Sequence, residues 1–139
     1  IYTLSLHDAL PILVIGSLDA PDEAPCAAAR REVQEETGLT AGAAGPLHDL
    51  GIQNRYEIYA HWRHRYAPGV THNTEHVFAL ALPAPVPVKL APREHLAHAW
   101  LAWEEAARRC FSPSNADAIR ILAKRLGWKA STGEAGETP

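Results

Sequence analysis

Residues 31–39 read Arg-Glu-Val-Gln-Glu-Glu-Thr-Gly-Leu, and the interpretation of the whole chain starts from this stretch. Residues 24–37 are rich in Ala, Arg and Glu, and Gly38 stands where a helix commonly ends. Asp22 is a suitable N-cap, and Pro25 suits the first turn. The pattern predicts one helix over residues 24–37.

Three carboxylates project from one turn of this predicted helix. At about 3.6 residues per turn, Glu32 and Glu36 share a face, and Glu35 lies roughly 60° to one side of Glu32. Such like charges destabilise an isolated helix by about 0.2–0.5 kcal/mol per pair, and they oppose the dipole at a helix C-terminus. A hard divalent cation would offset the repulsion, because Mg²⁺ takes oxygen ligands from one or two carboxylates and completes its shell with water and substrate phosphates. The alternative is a solvated helix face, the usual meaning of adjacent glutamates on a surface helix.

A longer pattern surrounds these acids, and through it the chain resembles the Nudix family. The family's box reads G-x5-E-x7-R-E-U-x-E-E-x-G-U, where U is aliphatic, and the match runs without a gap from Glu23 through Arg31 to Leu39. One departure precedes it, because six residues instead of five separate Gly16 from Glu23. The extra residue falls in a loop, where insertions are tolerated best, so it bears on loop geometry more than on metal binding.

The resemblance implies a fold, a cofactor and a set of roles. The fold is the Nudix α/β/α sandwich, a mixed β-sheet between helices, with N-terminal strands missing from this chain. The cofactor is Mg²⁺, with Mn²⁺ as a substitute, held by Glu32 and Glu36 with help from Glu35. The same three glutamates are the catalytic candidates, and which of them acts as base stays open. Structural roles fall to Gly16, Glu23, Arg31 and Gly38. Arg31 is expected to pair with Glu23 and to orient the helix and its loop.

The rest of the chain predicts further helices and strands. Residues 55–59 and 76–82 alternate or run apolar and are predicted strands, and the basic, turn-forming residues 63–74 between them are a predicted hairpin loop. Four further elements are predicted, namely short strands at 88–90 and 98–101, a short helix at 103–110 and a final helix at 114–126 capped by Ser114.

A second resemblance covers residues 55–115 and points to a bacterial Nudix subfamily that acts on dihydroneopterin triphosphate. It rests on residues 56–59 (Tyr-Glu-Ile-Tyr), 63–71 (Arg-His-Arg-Tyr-Ala-Pro-Gly-Val-Thr), 73–75 (Asn-Thr-Glu), 94–97 (Glu-His-Leu-Ala) and 112–115 (Ser-Pro-Ser-Asn). The residues that it implies for the pterin site are Tyr56, Glu57, Ile58 and Tyr59. It also implies that Ser112 contacts substrate and that Glu94 is a third metal ligand from a loop.

The residue types suit such a substrate. Aromatic faces stack on a flat heterocycle, and Glu57 can accept hydrogen bonds from its amino and ring N–H groups. Arg63 and Arg65 can meet phosphates bidentately. The alternatives are an amphipathic strand face for the two tyrosines and a solvated hairpin for the arginines.

Composition and charge limit the possible partners. The chain has 139 residues, of which 47% are hydrophobic and 21% charged, as suits one compact domain. Its net charge of −3 and its lack of basic runs favour a small-molecule triphosphate, pterin or nucleotide, over a nucleic acid or a membrane surface. Cys26 and Cys110 lack metal-ligand or disulfide spacing, and no membrane span or secretory signal is visible, so a cytoplasmic location is expected. The oligomeric state stays open.

The two ends of the chain are expected to differ from its middle. Residues 3–12, Thr-Leu-Ser-Leu-His-Asp-Ala-Leu-Pro-Ile, match the in-frame translation of a widely used sequencing adapter, ACT CTT TCC CTA CAC GAC GCT CTT CCG ATC. Residues 1–12 are therefore expected to be a non-native segment and residues 13–129 a truncated Nudix domain. Residues 130–139 are small, polar and acidic, and are an expected disordered tail. The alternative for the start is an ordinary strand or helix.

These patterns together predict an Mg²⁺-dependent pyrophosphohydrolase. It would convert 7,8-dihydroneopterin triphosphate to the monophosphate and pyrophosphate in folate biosynthesis. Two alternatives stay open at this stage. One is a Nudix hydrolase that acts on other nucleoside triphosphates, and the other is an inactive, truncated relic that binds ligand without turnover.

Overall fold

The computed structural model describes residues 10–16 by their backbone, and residues 22–89, 99–110 and 112–129 in full. Along the chain the elements are strand β1 (Leu10–Gly16), helix α1 (Pro25–Thr37), strand β2 (Leu47–Glu57), a 3-10 helix (Ala60–Arg65), strand β3 (His72–Leu82), helix α2 (Trp103–Arg109) and helix α3 (Pro113–Arg125).

The three strands form one sheet in the order β1-β3-β2, and both pairings are antiparallel. The sequence resemblance implies a mixed sheet, whereas both strand pairings within the described residues are antiparallel. The register between β2 and β3 shifts between Asp49 and Ile52. Gly51 lies at that shift with a φ of +66°, a conformation that glycine adopts without strain.

Strand β3 is covered on both faces, because successive side chains of a strand point to opposite sides of the sheet. On one side Val77 and Ala79 pack with the buried residues of α2 and α3. On the other side Phe78 and Leu80 pack against Val33 of α1. The described layers are therefore helix, sheet and helix pair, which is the α/β/α sandwich that the sequence predicts.

Helix α1 ends at Thr37, as the sequence predicts, and begins at Pro25, one residue after the predicted start. The N-cap residue is Ala24, not Asp22, and no side chain caps the helix there, while Pro25 occupies the first turn. At the other end Gly38 adopts a φ of +73°, and its N–H donates to the carbonyl of Gln34 at 2.9 Å. The Gly38 prediction is confirmed, and it ends the helix directly after the acidic turn.

Thr37 holds the last turn of α1 from inside the protein. Its side chain is 2% exposed, and its hydroxyl donates to the carbonyl of Val33 and accepts the N–H of Leu39 at 3.1 Å. The backbone carbonyl of Thr37 also accepts the N–H of Lys89 at 2.9 Å. This one residue therefore fixes where α1 ends and where the acids of its last turn point.

Several other predicted bounds are corrected by the structure. Strand β2 begins at Leu47, well before the predicted start, because this outer strand carries many exposed polar side chains that hide the alternation. The predicted hairpin loop contains the 3-10 helix. Residues 88 and 89 are not in a strand, and Leu101 is an isolated bridge. The N-cap of α3 is Ser112 instead of Ser114.

The predictions for the two ends of the chain stay predictions. Residues 1–9 and 130–139 lie outside the described residues. Residues 10–12 belong to β1, so the expected domain boundary at residue 12 falls inside that strand. Pro11 has no N–H to donate, and it lies on an outer strand of the described sheet, where this loss is tolerated. None of the helices within the described ranges is long and apolar enough to cross a membrane.

We expect Thr37→Val to lower the free energy of unfolding by about 1–3 kcal/mol, because the partly buried N–H of Leu39 loses its acceptor and the Val33 carbonyl loses its side-chain donor without a change of side-chain shape. Thr40→Val is the matched control, since Thr40 is exposed one turn further on and should change stability by less than about 0.5 kcal/mol. Urea unfolding measures both. Equal losses in the two variants would contradict the structural role of Thr37.

Candidate active site

Arg31 lies at the centre of the acidic turn of α1. Its Nε and Nη2 donate to the two carboxylate oxygens of Glu23 at 3.1 and 3.3 Å, so the expected ion pair is present and bidentate. Its Nη1 also contacts Glu32 at 3.2 Å and Glu35 at 3.1 Å, which the sequence does not predict. The Arg31 side chain is only 24% exposed. One partly buried guanidinium thus joins the loop before α1 to two of the candidate metal ligands.

The electrostatics of Glu32 show how crowded this turn is. Burial raises the pKa of Glu32 above its ordinary value, the carboxylate of Glu36 raises it further, and Arg31 opposes both effects. Glu32 and Glu36 therefore interact across one helical turn, as their spacing predicts. The charged form of Glu32 is held at a disadvantage that a second cation beside Arg31 would relieve.

The donors present at this turn fit a divalent cation such as Mg²⁺. Carboxylate oxygens are the ligands that hard cations prefer, and Mg²⁺ needs only one or two of them when water and substrate phosphates complete its shell. Within the described ranges no group of three or more His, Cys, Asp and Glu side chains is placed to hold a metal ion. Within this turn the carboxylates of Glu32 and Glu35 both contact Nη1 of Arg31, at 3.2 and 3.1 Å. The expected third ligand, Glu94, lies outside the described residues.

A separate cleft of about 680 Å³ opens where β2, β3 and the start of α3 meet. The residues that line it are Gln53, Asn54, Arg55, Tyr56, Glu57, Tyr59, Glu75, Ser112, Pro113 and Ser114. Four of the predicted substrate residues, Tyr56, Glu57, Tyr59 and Ser112, are thereby brought together from two distant parts of the chain.

The cleft is a continuation of one core face of the sheet. Val77 and Ala79 are apolar and face α2 and α3, and the next residue of the same parity toward the start of β3 is Glu75. On β2 the polar Asn54 and Tyr56 follow Ile52 in the same way. The sheet face therefore changes from apolar to polar where α3 ceases to cover it.

Tyr56 is held by two neighbours on β3. Its hydroxyl accepts a hydrogen bond from Nδ2 of Asn73 at 2.9 Å, and its interaction with the Glu75 carboxylate lowers the pKa of that carboxyl. Burial raises the pKa of Glu75, and the hydrogen bond from Tyr56 opposes that rise. Burial likewise raises the pKa of Tyr56. The ring of Tyr56 is therefore fixed against one wall of the cleft.

Asn54, opposite Glu75 on the ladder, has an unusual environment. Its Nδ2 is buried and has no hydrogen-bond partner among the described residues. Leaving a buried donor unpaired costs about 1–3 kcal/mol, so such groups in native proteins call for an explanation.

Three other predicted substrate residues lie apart from the cleft lining. Ile58 is 2% exposed, and its N–H donates to the carbonyl of Thr71, so its side chain belongs to the interior. Arg63 donates from Nη2 to Glu57 at 2.7 Å and from Nε to the carbonyl of Ile58 at 3.0 Å. Arg63 thus neutralises and orients Glu57. Arg65 is exposed on the 3-10 helix.

An aromatic cluster stands at the rim of the cleft. The Tyr59 ring is 67% exposed and lies 5.7 Å from the ring of His61 and 5.6 Å from that of Trp62, centroid to centroid. His61 and Trp62 are not in the cleft lining. The His61 ring stacks on Tyr59 and the Trp62 ring meets it edge-on, so one face of the Tyr59 ring is already in contact with a neighbour.

The acidic turn and the cleft lie on different sides of the sheet. Helix α1 packs on the face of β3 that carries Phe78, and the cleft opens on the face that carries Val77. Glu32, Glu35 and Glu36 are not among the residues that line the cleft. The two regions therefore share no lining residue.

The sequence reasoning does not assign a role to Glu75, Asn73 or Asn54. Residues 73–75 belong to the stretches that carry the second resemblance. Asn54 lies two residues before Tyr56 on β2, so the two side chains share a face of the strand. Once the strand bounds are known, polar residues at every second position that share the face of Tyr56 are the signal that points to Asn54, Asn73 and Glu75.

Comparisons with known proteins show the family of the chain. The family profile described as NUDIX domain matches residues 10–122. The chain is 45% identical over 107 residues to the dihydroneopterin triphosphate diphosphatase of Escherichia coli K12, covering 76% of this chain and 69% of that protein. It is 34% identical over 109 residues to the Haemophilus influenzae protein of the same name, covering 77% and 66%. The solved E. coli dihydroneopterin triphosphate pyrophosphohydrolase superposes with a TM-score of 0.68 at 34% identity, covering 88% of this chain and 92% of that one.

We expect Arg31→Gln to lower the free energy of unfolding by about 1–2 kcal/mol, because the partly buried carboxylates of Glu23 and Glu32 lose the cation that they share with the exposed Glu35. Arg120→Gln is the control, since Arg120 makes an exposed ion pair with Asp117 on α3 and should change stability by no more than about 0.5 kcal/mol. Chemical unfolding in low salt compares them. A loss for Arg31→Gln as small as that of the control would refute the network.

The raised pKa of Glu75 gives a dependence of stability on pH. Because burial raises this pKa in the folded protein above its unfolded value, the stability from the protonated carboxyl is present below the unfolded pKa and is lost as pH rises through the folded pKa. We expect the stability of the wild type relative to Glu75→Gln to decrease as the pH rises above the ordinary glutamate pKa of about 4.3 and through the higher pKa of the folded protein. Urea unfolding at several pH values tests this. A difference that does not vary with pH, or that increases with it, would contradict the assignment.

Proposed function

This chain belongs to the NUDIX domain family, and we propose that within the family it is an Mg²⁺-dependent pyrophosphohydrolase acting on 7,8-dihydroneopterin triphosphate. The observation that carries the proposal is the 45% identity to the E. coli dihydroneopterin triphosphate diphosphatase over 76% of the chain. The cleft supports it, because three of the four residues expected at a pterin site, Tyr56, Glu57 and Tyr59, line it.

The proposed reaction breaks one phosphoric anhydride bond of the triphosphate. Water adds to phosphorus, the bridging oxygen leaves with the departing pyrophosphate, and dihydroneopterin monophosphate is the other product. The substrate is a small molecule, and we propose a cytoplasmic location in which the enzyme serves folate biosynthesis.

The acidic turn of α1 would hold the metal and the reacting phosphates. Glu32 and Glu36 are the proposed principal ligands, Glu35 assists, and Glu94 is a proposed further ligand. When bound, the cation neutralises the polyphosphate and helps to activate a water molecule. Arg31 hydrogen-bonds to both Glu23 and Glu32 and so restrains the Glu32 carboxylate relative to Glu23.

The cleft would hold the pterin ring. Tyr56 and Tyr59 offer aromatic faces for stacking, and Glu57 offers acceptor oxygens whose position is set by Arg63. Ser112 contributes a hydroxyl, which shares a hydrogen bond of 2.7 Å with the hydroxyl of Ser114. An extended substrate is thus gripped at its flat end by the cleft and at its charged end by the acids of α1.

Pyrophosphate release tests the proposal against its alternatives. The purified chain is incubated in Mg²⁺ with dihydroneopterin triphosphate and, separately, with each of the four dNTPs. We expect kcat/KM to be highest for the pterin substrate. Comparable or higher values for a dNTP would favour a different Nudix hydrolase, and binding without any turnover would favour the inactive relic.

We expect Glu36→Gln to reduce kcat for pyrophosphate release by at least about 100-fold, because one charged donor of the metal is lost while the side-chain shape is kept. Asp117→Asn, an equivalent change on the exposed face of α3, should leave kcat unaltered. Circular dichroism and thermal unfolding check that both variants are folded. Activity retained in a folded Glu36→Gln protein would remove the metal assignment.

A further inference from the structure

Asn54 and Glu75 form an incompletely satisfied polar pair inside the cleft. They lie directly opposite each other on β2 and β3, and opposed residues of an antiparallel pair project from the same face of the sheet. Both residues line the cleft. The Asn54 amide nitrogen is buried and has no partner among the described residues, so a donor is in place with nothing to receive its hydrogen.

Glu75 supplies the matching acceptors. The Tyr56 hydroxyl, which accepts a hydrogen bond from Asn73 at 2.9 Å, interacts with the Glu75 carboxylate. An ionised carboxylate has two oxygens with about four acceptor positions, so Glu75 has acceptor capacity for a ligand. The pair therefore presents an amide donor beside a carboxylate acceptor, and the ring of Tyr56 is held next to them.

We propose that Asn54 and Glu75 read the 2-amino-4-oxopyrimidine edge of the substrate ring. Asn54 donates to the ring carbonyl oxygen, and Glu75 accepts hydrogen bonds from the adjacent ring N–H and from the exocyclic amino group. This inference rests on the proposed function for the substrate and adds the atoms that recognise it.

The complementarity is specific in its chemistry. The edge that we propose is read carries an acceptor followed by two donors, and it is shared by pterins and guanine. Adenine presents an amino donor beside a ring acceptor, which would set donor against donor at Asn54 and acceptor against acceptor at Glu75. Buried polar groups that are left unpaired in this way reject a ligand strongly.

A binding assay without metal or turnover tests the inference. The fluorescent pterin neopterin is titrated into wild type, Glu75→Gln, Asn54→Asp and the control Asp117→Asn, and guanosine or adenosine is then added as competitor. Both cleft variants keep the size of the native side chain. We expect each to weaken neopterin binding by at least about tenfold, the control to bind as the wild type does, and guanosine but not adenosine to compete.

Three results would overturn the inference. They are unaltered neopterin affinity in both folded cleft variants, competition by adenosine as effective as that by guanosine, and no neopterin binding by the wild type. Thermal unfolding checks each variant, and if one does not fold, the other decides.

Failure of the proposed function gives a different pattern. Binding of neopterin that depends on Glu75, without pyrophosphate release from dihydroneopterin triphosphate, refutes only the proposed activity. Release of pyrophosphate with unaltered binding in both cleft variants refutes only the reading of the ring edge. The ratio of neopterin to guanosine affinities then separates a pterin site from a guanine site.

Discussion

The proposed metal site depends on how one turn of helix α1 accommodates three neighbouring carboxylates. Glu32, Glu35 and Glu36 repel one another, and burial adds to the disadvantage of the charged form of Glu32. The positive charge of Arg31 offsets part of this repulsion. The same guanidinium also hydrogen-bonds to Glu23 and so attaches the loop before the helix to the acidic turn. One guanidinium thus contacts three carboxylates, those of Glu23, Glu32 and Glu35. Carboxylate oxygens gathered in this way are the donors that a divalent cation prefers.

The sheet separates the acidic turn of α1 from the cleft, because the two lie on its opposite faces. Strand β3 buries Phe78 and Leu80 under α1 and Val77 and Ala79 under the two C-terminal helices, so its position is fixed from both sides. Where α3 begins, the covering of the second face ends, and the exposed end of the sheet carries polar side chains around a cleft. In the proposed function a flat heterocycle and a chain of phosphates have different surroundings, the cleft for the first and the acidic turn of α1 for the second.

The sequence predicts local features well and their mutual placement poorly. The spacing of residues 23–39 predicts the bounds of α1, the ending at Gly38 and the Arg31–Glu23 pair, because all three follow from helix geometry and short-range contacts. It does not predict that Arg31 also contacts Glu32 and Glu35, since that depends on side-chain conformations. Arg63 shows the same limit: its charge suggests a phosphate contact, yet its guanidinium is bonded to Glu57. The Asn54–Glu75 pair depends on strand register, which no short stretch of sequence specifies.

The most direct test of the account is where a divalent cation binds. Titration of ¹⁵N-labelled protein with Mn²⁺ reports this, because the paramagnetic ion broadens the amide signals of nearby residues. The account predicts that signals of residues 32–36 broaden first, that excess Mg²⁺ restores them, and that signals around Asp117, an exposed carboxylate on α3, stay sharp. Broadening centred on another element, or none at residues 32–36, would contradict the claim that this turn of helix holds the metal.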